Sequence, residues 1–63
     1  MPTIFFYGPE LPKEKKKELV KSITDSASKV TGIPPASFTV MLRPTSQENV
    51  GIGGELLSER RPR

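Results

Sequence analysis

The chain has 63 residues, ten Lys and Arg against seven Asp and Glu for a net charge of +3, and no cysteine or histidine. That composition excludes disulfide staples, Cys or His zinc sites, Ser-His-Asp triads and Cys-His nucleophiles within one chain. A domain this short buries only about 60% of the surface its unfolded form exposes, so without a staple it is expected to be one small domain, 1–63, in a homo-oligomer. The modest positive charge suits anionic ligands, with nucleic acid a disfavoured partner. No apolar run is long enough to span a bilayer and the amino terminus lacks the pattern of a secretory signal, so no membrane partner and a cytoplasmic location are expected.

Pro2 follows Met1 and opens the run Thr3-Ile4-Phe5-Phe6-Tyr7. Ile4 and Phe6 fall on one side of a strand and Thr3, Phe5 and Tyr7 on the other, so both faces are apolar or β-favouring, the pattern of a strand covered twice. If Met1 is removed, Pro2 presents a secondary amine whose ring holds φ near −65°. An α-amino group titrates at about 7.7–8.0, and desolvation lowers that value, so such an amine can move protons near neutral pH.

Gly8-Pro9 is turn chemistry, and Pro12 suits the first turn of a helix, where its missing N–H costs nothing. The spacing of Leu19, Val20, Ile23, Ala27 and Val30 predicts a helix over 13–31, ended by Gly32 and barred from continuing by Pro34-Pro35. Residues 38–43 alternate again, Phe38, Val40 and Leu42 against Thr39, Met41 and Arg43, which predicts a second strand. Strand, helix and strand form one β-α-β unit with parallel strands, and two strands alone do not make a viable sheet, which again calls for a partner chain. The polar remainder predicts a short hairpin around Gly51-Ile52-Gly53-Gly54, and 59–63 read as an exposed basic arm. The fold class is therefore α+β.

Few constellations carry chemistry. Glu14 and Glu18 read as surface charge beside lysines, with Glu10 cut off from them by Pro12. Gly51-Ile52-Gly53-Gly54 has the Gly-x-x-Gly form of a nucleotide-clamping loop but lies after the second strand instead of between two helices, which favours a tight turn.

Taken together, Pro2 behind Met1, the β-α-β unit and the segment Gly51-Ile52-Gly53-Gly54-Glu55-Leu56 at this distance from Pro2 resemble the 4-oxalocrotonate tautomerase family over nearly the whole chain. Lys16 and Leu19 also stand where that family's helix commonly has such residues. The resemblance implies a trimer-of-dimers hexamer or a related trimeric assembly, no cofactor, and Pro2 as base and then acid in interconverting enol and keto forms of a small unsaturated 2-oxo acid. It also implies three accompanying substrate positions, and all three depart from the family's pattern. The loop before the helix offers Leu11-Pro12 and then Lys13 in place of an arginine, Thr39 replaces a second arginine, and Val50 replaces the aromatic residue that closes the pocket. Dicarboxylate specificity therefore does not carry over.

Arg43 is the candidate replacement cation, because it lies four residues beyond Thr39 and on the same strand face. A guanidinium there can hold a carboxylate in bidentate fashion and stabilise a dienolate. Phe6 and Tyr7 read as core or interface, Lys16 as snorkelling along the helix, and Arg60, Arg61 and Arg63 as a solvated or subunit-bridging arm. The alternative reading is a non-catalytic basic homo-oligomer with a binding or structural role, which retention of Met1 would favour by leaving Pro2 with an amide nitrogen.

Overall fold

A computed structural model describes residues 1–60. Strand β1 spans Thr3–Gly8, helix α1 Lys13–Thr31 and strand β2 Thr39–Pro44, with a 3-10 turn, Pro35–Ser37, before β2. Strands β1 and β2 pair in parallel with Thr3 opposite Thr39, Phe5 opposite Met41 and Tyr7 opposite Arg43. The ladder runs past both formal ends: the Thr39 N–H donates to the Pro2 carbonyl at 3.0 Å and the Thr45 N–H to the Gly8 carbonyl at 2.7 Å.

Pro12 lies just outside the helix as its N-cap and not in the first turn, with no side-chain cap, and its carbonyl accepts the Lys16 N–H at 3.0 Å. At the other end Gly32 takes φ 78° and donates its N–H to the Ser28 carbonyl at 2.8 Å, a left-handed cap that glycine adopts without a Cβ penalty. Phe38 stays outside β2, closing the Pro35–Ser37 turn through its N–H to the Pro35 carbonyl. The second strand therefore starts one residue later than its alternation predicts. The Phe6 ring requires Gly8, since a Cβ there would stand 2.8 Å from Phe6 Cε2.

The alternation sorts the sheet into two faces. Ile4, Phe6, Val40 and Leu42 are half-buried beneath α1, whose inner side carries Lys16, Leu19, Val20, Ile23 and Ala27. Phe5, Tyr7 and Met41, on the other face, stay 51%, 67% and 41% exposed, and no described residue is fully buried. Covering these strands on both faces therefore needs more than one chain. Val30 corrects the predicted helix stripe: it is 86% exposed. Nineteen helical residues rise roughly 28 Å while six strand residues span roughly 20 Å, so the last turn of α1 overhangs the sheet.

After β2, a 3-10 turn at Gln47–Asn49 leads into the hairpin of β3 (Gly51–Ile52) and β4 (Glu55–Leu56). Its two-residue loop is Gly53-Gly54 at φ 63° and 90°, the left-handed pair that a tight hairpin turn favours. The Leu57 N–H donates to the Val50 carbonyl at 2.7 Å, closing the base of the hairpin. A last 3-10 turn covers Leu57–Glu59, and Arg60 Nε lies 3.9 Å from Glu55 Oε1. The rest of the predicted basic arm, 61–63, lies outside the described residues. Among the described residues, no helix is long and apolar enough to cross a membrane.

Candidate active site

Pro2 and Thr39 lie together at one end of the parallel pair. The Thr39 N–H bond to the Pro2 carbonyl holds residue 2 as an extension of the ladder, and Pro2 itself is half-buried. Met1, ahead of it, is 97% exposed. The Thr39 side chain shares its strand face with Met41 and Arg43, the face that α1 leaves open.

Arg43 stands four residues along that face. Its guanidinium lies over the Phe5 ring, with Cζ 5.2 Å from the ring centroid, within cation–π range. Phe5 pairs with Met41 and shares this face, so its ring holds the charge on the side of the sheet that α1 leaves open. Among the described residues, no carboxylate lies within ion-pair distance of Arg43.

Val50 is at the far end. With Tyr7, Gly8, Pro9, Thr45, Gln47 and Leu57 it lines an open cavity of about 310 Å³ beyond the carboxyl ends of β1 and β2. Five register steps separate the Thr3–Thr39 pair from the Gly8–Pro44 pair, roughly 17 Å, so one chain does not bring its own Pro2 to Val50. A smaller crevice under the β1–α1 loop, between Phe6, Leu11 and Leu42, holds only about 10 Å³ and has no room for a ligand.

Lys13 opens α1 and lines a shallow groove on the helix of about 430 Å³ with Lys16, Lys17, Val20 and Lys21. Lys16 does more than snorkel. Its Nζ sits 2.8 Å from Glu10 Oε1, and the Leu11 N–H donates to the same oxygen at 3.1 Å. The Lys16 hydrogen bond first, and the Leu11 N–H second, hold the Glu10 carboxyl below its ordinary range. The pair pins the loop to the helix start.

Sequence reasoning thus grouped five residues that the fold distributes over four places: Pro2 with Thr39, Arg43 toward the carboxyl end of the open face, Val50 beyond that end, and Lys13 on the helix. It missed Phe5 as the support of Arg43, and Thr45 and Gln47 as cavity walls. The Phe5 signal was present, since Phe5, Met41 and Arg43 share one alternating face. Nothing local marks Thr45 or Gln47.

The sequence profile of the tautomerase enzyme family matches residues 2–60. Probable tautomerase K2 of Dickeya dadantii (strain 3937) is 38% identical over 48 residues, covering 76% of this chain and 72% of that protein. The crystal structure of DmpI from Archaeoglobus fulgidus superposes with a TM-score of 0.83 at 34% identity, over 92% of this chain and 100% of DmpI. A heterohexamer 4-oxalocrotonate tautomerase from Chloroflexus aurantiacus J-10-fl shares the fold with a TM-score of 0.83 at 21% identity, over 97% of this chain and 100% of that one. With its β-α-β unit, carboxyl-terminal hairpin and sequence profile in agreement, the chain belongs to the 4-oxalocrotonate tautomerase family within the tautomerases.

Proposed function

We propose that the 63 residues act as one tautomerase domain, which interconverts enol and keto forms of a small unsaturated 2-oxo acid with Pro2, freed of Met1, as the proton carrier. The Pro2 amine takes the proton from the enol hydroxyl. Electrons shift along the conjugated system to leave a dienolate, and the prolyl ammonium returns the proton to carbon, so the step is an isomerisation with no co-reactant. The Arg43 guanidinium holds the substrate carboxylate and offsets the dienolate charge, Thr39 borders Pro2 with its hydroxyl, and Val50 bounds the substrate's distal end. Lys13, on the helix groove, draws anions toward the loop.

The observation that carries this reading is the roughly 17 Å between the Pro2 end and the Val50 end of a sheet whose second face is uncovered. A working site then combines Pro2 of one chain with the cavity of another, and the exposed Phe5, Tyr7 and Met41 become contacts between chains. The expected assembly is a homohexamer or a trimer, in line with the hexameric Chloroflexus relative.

Complementation tests it. Pro2→Ala and Val50→Arg proteins, each strongly impaired alone, should regain ketonisation of phenylenolpyruvate when co-refolded, because mixed assemblies contain sites with an intact Pro2 facing an intact cavity. Intact mass establishes that Met1 is absent, and light scattering that the assembly is oligomeric. A stable folded monomer at micromolar concentration, or mixtures as impaired as their parents, would defeat the shared site.

A further inference from the structure

Resting on that reading, we propose that the cavity beyond the carboxyl ends of β1 and β2 receives the uncharged tail of a monocarboxylate, making the preferred substrate an aryl- or hydroxyl-bearing enol acid instead of a dicarboxylate. Three observations carry this. The cavity's about 310 Å³ is at the small end of ligand sites but well above the roughly 150 Å³ that accommodates benzene, so a phenyl ring fits with space remaining.

Among the described residues, its walls carry no charge. Tyr7, Thr45 and Gln47 supply the polar atoms, and Pro9, Val50 and Leu57 the apolar surface. Thr45 Oγ1 already donates its proton to the Arg43 carbonyl at 3.0 Å, so toward the cavity it offers lone pairs only. Those lone pairs accept from a hydroxyl or amide and repel a carboxylate. An anion in such walls would lose hydration without gaining a counter-charge, a cost that favours a neutral group.

Among the described residues, the cation on this face, Arg43, is not part of the cavity wall. Arg43 pairs with Tyr7, a cavity wall, but its guanidinium rests over Phe5 two positions toward the amino end. Arg43 is not one of the cavity walls, so carboxylate site and tail site are neighbouring but separate. One carboxylate binds at Arg43, and the remainder of the molecule projects into neutral walls.

The test separates binding from turnover by using unreactive acids on the assembled Pro2→Ala protein. Calorimetry should find cinnamate bound at least about tenfold more tightly than muconate, a difference of about 1.4 kcal/mol. Gln47→Arg, at an exposed turn position, should reverse the order by placing a cation in the wall, and Val50→Trp should remove cinnamate binding by filling the space. Muconate binding as tightly as cinnamate, no cinnamate binding, or a ratio unmoved by Gln47→Arg would each overturn the proposal. Full phenylenolpyruvate turnover by the Pro2→Ala protein would instead reject the proline mechanism and leave the binding result standing.

Discussion

Thr39 donates its backbone N–H to the carbonyl of Pro2 at 3.0 Å, so the residue ahead of the first strand is already bound into the sheet. A terminal residue tied down this way does not fray, and its nitrogen has a defined direction once Met1 is gone. Met1-free Pro2→Ala keeps an amine and the same carbonyl but loses the ring that holds the nitrogen rigidly and makes it a secondary amine. Its kcat/KM for phenylenolpyruvate should fall by about 10²-fold, the scale of a lost general base. Unchanged turnover in protein verified by mass would remove Pro2 from the mechanism.

Arg43 and Phe5 form the second functional pair. Arg43→Ala should depress kcat/KM for an acidic enol far more than for a matched neutral one, because a charge-assisted contact is lost and the base is not. Phe5→Leu keeps the charge and releases its direction. With a cation–π contact worth about 0.5–1 kcal/mol at exposed sites, KM for the acidic enol should rise by a few-fold with kcat little changed. Equal losses on both substrates would make Arg43 structural.

Gly54 lies in the hairpin loop at φ 90°, and a Cβ built there meets nothing within 4 Å. The penalty for Gly54→Ala is thus one of backbone conformation alone, about 1–2 kcal/mol for a left-handed L-residue. Gly53→Asn at φ 63° should be better tolerated, since Asn enters that region readily. Denaturation midpoints of the assembled proteins check the order, and a neutral Gly54→Ala would show that the turn reshapes.

Glu10 gives a pH signature. Its carboxyl is held low by Lys16, so its contribution is present above the ordinary carboxylate value, about 4.3, and is lost as pH falls through the lowered folded value. Glu10→Gln should melt slightly below the parent at pH 7 and converge with it in strong acid. Added salt should shrink the neutral-pH gap, since the pair is exposed. A gap that widens on acidification would contradict this assignment.

Whatever depends on neighbours in the chain is legible in the residues alone. The spacing from Leu19 to Ala27 marked α1, with Pro12 before it and Gly32 and Pro34-Pro35 after it, alternation assigned Ile4 and Phe6 to one face and Phe5 and Tyr7 to the other, and Gly53-Gly54 marked the hairpin. What depends on lengths and distances across the fold emerges when the elements pack. Val30 obeys the helical period yet is exposed, because the helix outruns the sheet it covers. Lys16 meets Glu10 across Pro12 at the helix start, and Arg43 settles over Phe5, neither of which a period of 2 or 3.6 specifies. Pro2 and Val50 are grouped by motif but stand at opposite ends of a parallel pair, since a parallel crossover returns the chain to the same starting edge and carries later residues away from it.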